Sequence, residues 1–133
     1  MSQTDSIENI KDAGSQILQD DLTNASPYEL VQTLLESAQA RLDIARDAMS
    51  AGDNTTKGER ISEVIVLVGL LQGSLDMKSG TDLAEKLDTL YTHMQQRLLE
   101  SSANNDVAVL DQVRELLSKI KDAWDGIPED ART

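Results

Sequence analysis

Residues Glu63-Val64-Ile65-Val66-Leu67-Val68-Gly69-Leu70-Leu71-Gln72-Gly73-Ser74-Leu75, EVIVLVGLLQGSL, are the most apolar run of a chain whose formal charge is −12. Such a run fits a buried strand or a buried helix, and its flanks must decide. Ile61, Val64, Val68, Leu71 and Leu75 keep a three/four spacing beyond the run on both sides. Glu59-Arg60 and Ser74-Leu75-Asp76-Met77 show no strand-type alternation, so the stretch predicts a helix from about Lys57 to Met77. At about 100° per residue, one side of that helix collects Ile61, Val64, Ile65, Leu67, Val68, Leu71 and Leu75, enough for a core. The other side collects Ser62, Val66, Gly69, Leu70, Gly73 and Ser74, a shallow apolar groove in place of a charged solvent face.

Gly69 and Gly73 each cost about 1 kcal/mol relative to Ala in a helix interior, so a cover that offsets the cost is expected. One cover is internal: an N-terminal arm laying Ile10, Ile17 or Leu18 across Val66 and Leu70. The other is a foreign apolar segment docked helix-in-groove, each covered Val or Leu contributing about 1.5–3 kcal/mol. An arm that yields to the foreign segment joins the two readings as a competitive lid.

Outward from the run, the same period recurs. Ser26, Pro27 and Glu29 form a helix start with a capping residue, a proline that needs no amide donor and an acid reaching back. Leu30, Val31, Leu34, Leu35, Ala38, Leu42, Ala45 and Met49 then mark one stripe from Pro27 to about Ser50, stopped at Ala51-Gly52. Asp53 to Gly58 reads as a polar loop. After the central run, Ser79-Gly80-Thr81-Asp82 resets the chain, and Leu83, Leu87, Leu90, Tyr91, Met94 and Leu98 mark a third stripe ending near Ser101-Ser102. Val107, Leu110, Val113, Leu117, Ile120 and Trp124 mark a fourth, from about Asp106 to Trp124, closed by Gly126 and Pro128. Four long amphipathic helices with short loops predict an all-α fold, an antiparallel up-down bundle. The expected organisation is an N-terminal arm or short helix over 1–25, a bundle over 26–124 and an acidic tail over 125–133.

The chain has 133 residues, room for one domain with a proper core. Twelve Lys and Arg stand against 24 Asp and Glu, so the molecule is expected to repel nucleic acid and anionic lipid. No stretch of about 18 apolar residues occurs, and the N-terminus has neither a basic segment nor an apolar signal core, so no membrane insertion is expected and the cytoplasm is the default location. Cys is absent, which removes disulfide and thiolate-zinc frameworks.

Catalytic constellations are missing as well. His93 is the only histidine, so no His-paired nucleophile or His-metal cluster can be built. A di-iron bundle needs Glu-x-x-His pairs, and Leu90 stands three residues before His93. Gly69-Leu70-Leu71-Gln72-Gly73 lacks the Lys of a phosphate loop. The rival reading is a histidine phosphotransfer bundle using His93. Such domains typically present a Lys and a small residue one turn later, whereas Met94-Gln95-Gln96-Arg97 follows here. The expectation is no catalytic residue, no metal and no cofactor.

Ala25-Ser26-Pro27 leading to Leu30, Lys57-Gly58 with Ile61-Ser62, Leu71 with Ser74-Leu75-Asp76 and Gly80, Leu83-Ala84 through Arg97-Leu98, Asn105-Asp106, and Ala123-Trp124 with Ile127-Pro128 carry a resemblance in their order and spacing. Over about Ala25 to Pro128 the chain resembles the flagellar secretion chaperone FliS family. The likeness implies a partner, the disordered C-terminal segment of flagellin, bound about one to one. It also implies delivery to the flagellar type III export apparatus after premature polymerisation has been blocked. Two departures stand out. Leu34-Leu35-Glu36-Ser37 replaces the common Leu-Tyr-Asp/Glu-Gly, and the N-terminal arm lacks the Tyr that many members carry, leaving Ile10 or Ile17 in its place. The client-binding candidates are Ser62, Val66, Gly69, Leu70 and Gly73, with Leu99, Val109 and Leu116 at the edges of their stripes. A bundle adaptor for an unrelated helical client is the other alternative.

Overall fold

Ser26 opens the first helix: its hydroxyl accepts from the Glu29 amide at 3.2 Å, and Pro27 takes the first turn. A computed structural model describes residues 26–76 and 82–128. Helix α1 runs Pro27–Ala51 and ends at Gly52, whose φ of 76° turns its N–H back onto the Ala48 and Met49 carbonyls. That left-handed conformation costs a glycine little and a β-carbon much.

The polar stretch after Gly52 departs from expectation. Helix α2 begins at Asn54 and runs to Gly73, so only Gly52 and Asp53 connect it to α1. The Asp53 carboxylate accepts from the Thr56 amide at 3.1 Å, and this cap lets weak helix formers enter the first turn. The far end is shorter than the predicted Met77. Gly73 has no side chain to support the last turn, and the Ser74 hydroxyl donates to the Leu71 carbonyl at 2.6 Å, in competition with helical continuation. Helix α3 spans Asp82–Asn104 and α4 spans Val107–Asp125, the latter capped by the Asp106 carboxylate on the Val109 amide. The α4 helix therefore takes in Asp125, the first residue of the expected acidic tail.

Cross-helix bonds fix the topology. Gln32 meets Asp125, Gln39 meets Ser118, and Arg46 meets Asp111, so numbers rise along α1 as they fall along α4. Gln72 with Asp88 and Lys57 with Ser102 do the same for α2 and α3. Helix backbones approach closely around the ring α1, α2, α3, α4 and back to α1, and among the described residues no diagonal pair comes as near, the arrangement of an antiparallel up-down bundle. All described secondary structure is helical.

Leu34, Leu35 and Leu42 of α1, Ile61, Val64, Val68 and Leu71 of α2, Met94 and Leu98 of α3, and Leu110 and Leu117 of α4 fill the interior. Each such side chain contributes about 1.5–3 kcal/mol by leaving water. At one end the Tyr28 and Trp124 rings stack with centroids 5.4 Å apart, and the Trp124 indole N–H donates to the Tyr28 carbonyl. These aromatics join the first turn of α1 to the last turn of α4.

Candidate functional site

The α2 helix puts its two sides to different uses. Ile61, Val64, Leu67, Val68 and Leu71 are buried, whereas Ser62 and Val66 are half-buried and Gly69 and Gly73 exposed. A β-carbon built on Gly69 or Gly73 would meet no atom within 4 Å. The small residues therefore do not serve a close approach by another helix of the bundle. Leu70 is half-buried and packs on the core, so it is both wall and surface.

Neighbouring helices widen this face. Gln72 Nε2 lies 2.8 Å from both the Asp88 carboxylate and the Thr92 hydroxyl and also donates to the Asp88 carbonyl, while Gln95 donates to the Gln72 side-chain oxygen. At the other end Lys57 Nζ donates to the Ser102 carbonyl at 3.0 Å. The register between these bonds sets Leu99 level with the Ser62–Val66 turn, and Leu99 is 61% exposed. On the α1 side, the Arg41–Glu63 pair sets Leu30, Thr33 and Ser37 beside the C-terminal half of α2. None of these three is fully buried. Sequence reasoning missed them because Leu30 belongs to a stripe that looks purely internal and Thr33 and Ser37 look like solvent positions until the register with α2 is known.

One charged cluster crosses the α1–α2 seam. The Glu63 carboxylate sits 2.6 Å from Arg41 Nε on α1 and 2.6 Å from Arg60 Nη1 on its own helix. It pins α2 to α1 beside the open face.

Lys57 carries a role that its sequence position hid. It is 7% exposed, and its ammonium donates to the Ser102 carbonyl and to the Asn105 side-chain oxygen at 2.5 Å. Asn105 is left-handed at φ 53°, and the buried Ser101 hydroxyl donates to the Asp106 carbonyl. The lysine thus satisfies the carbonyl end of α3, where a cation also meets the negative pole of the helix dipole. A lysine in the first turn of α2, with an asparagine just before the Asp106 cap of α4, is the signal that could have found it.

The remaining predicted residues scatter. Val109 is 5% exposed and closed into the inter-helix packing, which removes it from the accessible candidates: its position at the edge of the α4 stripe turns it inward. Leu116 is half-buried beside Gln112, Glu115 and Lys119, on the side of α4 turned toward α3, away from the α2 face. Ile10, Ile17 and Leu18 lie outside the described residues. His93 is exposed on α3. Among the described residues no group of three or more His, Cys, Asp or Glu could hold a metal ion, and no helix is long and apolar enough to cross a membrane.

The described helices form a four-helix bundle that leaves one side of α2 uncovered. The FliS family model, described as flagellar protein FliS, matches residues 10–131, and the chain belongs to that family. It is 40% identical over 106 residues to the flagellar secretion chaperone FliSB of Pseudomonas aeruginosa, covering 80% of this chain and 84% of that protein. It is 38% identical over 107 residues to the flagellar secretion chaperone FliS of Vibrio cholerae, covering 80% and 79%. Against the protein of the same name from Salmonella typhimurium it is 36% identical over 102 residues, covering 76% of each.

Proposed function

We propose that the chain is a cytoplasmic flagellar secretion chaperone that holds the C-terminal segment of flagellin about one to one. It prevents premature polymerisation and delivers the client to the flagellar export apparatus, without catalysis. Family membership supports the reading, and the observation that carries it is the open side of α2. Gly69 and Gly73 leave room there for a client backbone, flanked by Val66, Leu70 and Leu99. A client that orders on binding spends part of its contact energy on that ordering, which keeps the hold reversible. In the same reading Ile10, Ile17 and Leu18 cover this face until a client displaces them, so removing residues 2–20 is expected to raise client affinity.

The test is calorimetric titration with the flagellin C-terminal segment. Val66→Asp and Gly69→Glu are expected to abolish capture while far-UV helicity and the melting transition stay near those of the parent. Leu70→Asp is a poorer probe, because Leu70 also packs on the core. Undiminished binding by both Val66→Asp and Gly69→Glu would remove the α2 face from the mechanism.

A further inference from the structure

The described cations that reach solvent are nearly all closed on carboxylates of the same chain. Arg41 and Arg60 share Glu63, while Arg46 and Arg114 hold Asp111 and Asp43. Arg97 holds Glu100, and Lys119 and Lys121 sit on Glu115 and Asp125. Lys57 is buried at the α3–α4 connection. Lys86, beside Asp82, Glu85 and Thr89, is the other described cation, and helical phase turns it away from α2.

Among the described residues, the open face therefore presents a client with no unpaired cation to answer a carboxylate. Exposed carboxylates stand around it instead: Asp47 on the outer side of α1 and Glu59, 58% exposed though 3.5 Å from Arg60, one turn before Ser62 at one end, and Glu85 on the outer side of α3 at the other. A carboxylate carried onto Val66 or Leu99 would lose its hydration with nothing to replace it. The field of a molecule with formal charge −12 also opposes its approach. Lysine or arginine on the flanks of a client's apolar stripe would meet complementary charge.

We infer that this face selects its client by charge as well as by shape. It takes an amphipathic segment whose contacting stripe holds no Asp or Glu and whose flanks carry Lys or Arg, and it rejects segments with acidic flanks. The inference rests on the chaperone reading above and names the chemistry of the client at the same surface.

The experiment titrates the full chain with three versions of the flagellin C-terminal segment: unaltered, with two polar flank residues changed to Lys, and with the same two changed to Glu. Each is measured at about 0.05 M and about 0.5 M salt, where screening is weak and strong respectively. The expected result is tighter binding of the Lys version than of the Glu version, about tenfold at low salt and shrinking toward equality at high salt. The double variant Asp47→Lys with Glu59→Lys, both at exposed positions, is expected to narrow the low-salt difference. Equal affinity of the Lys and Glu versions at low salt, or a difference that the double variant leaves the same size, overturns the inference while the chaperone reading stands. Failure of the unaltered segment to bind overturns the chaperone reading and the inference with it.

Discussion

Gly69 and Gly73 separate stability from binding at single positions. Both have open space where a side chain would go; Gly69 sits in the helix interior and carries the entropic penalty of glycine with no internal contact for it, whereas Gly73 ends α2. Gly69→Ala is expected to stabilise the bundle by about 0.5–1 kcal/mol, read from urea unfolding, and to weaken client capture by lifting the client backbone off the helix. A rise in stability with affinity unchanged would mean that nothing approaches closely at Gly69. The position of the two glycines on one side of α2 was legible from helical phase alone. Val109 was not, because a residue at the edge of a stripe turns inward or outward according to the neighbouring helix, and only the α4 packing decides.

Helix ends show why some boundaries were readable and others were not. Ser26-Pro27 and Gly52 hold their own signals, and α1 runs within a residue or so of where they place it. The start of α2 depends on one carboxylate. Hydrogen bonds from Thr56, from its side chain and then its amide, hold the Asp53 carboxyl below its usual range, a sign of how firmly the cap engages. Between elements, Lys57 fastens the first turn of α2 to the end of α3. Lys57→Met leaves the Ser102 carbonyl and the Asn105 oxygen without their donor, and is expected to cost about 1–3 kcal/mol. Faster amide exchange confined at first to residues 101–107 would locate the loss there, whereas uniform exchange would assign it to the core.

Across the whole bundle, the interior sets a pH limit. Tyr91 is buried, and burial raises its phenol above the ordinary value because the phenolate would be poorly solvated. The unfolded chain then ionises first as pH rises. The contribution is present below the ordinary tyrosine range near pH 10 and is lost as pH climbs through the raised folded value. Melting temperature is expected to fall above about pH 10, and to fall less steeply in Tyr91→Phe. Identical slopes for the two proteins would exclude Tyr91 as the group responsible. The bundle class and its core were legible because four stripes share one period. The breadth of the open face was not, since it is assembled from α1, α2 and α3 through a register that no single helix encodes.

The Tyr28–Trp124 stack holds the first turn of α1 beside the last turn of α4. Tension applied at those two turns would load the aromatic pair first and then the Gln32–Asp125, Gln39–Ser118 and Arg46–Asp111 rungs in succession, not all together. Rungs loaded in succession resist less than rungs loaded together, so pulling at these two turns is expected to open the α1–α4 seam at lower force than pulling along the bundle axis.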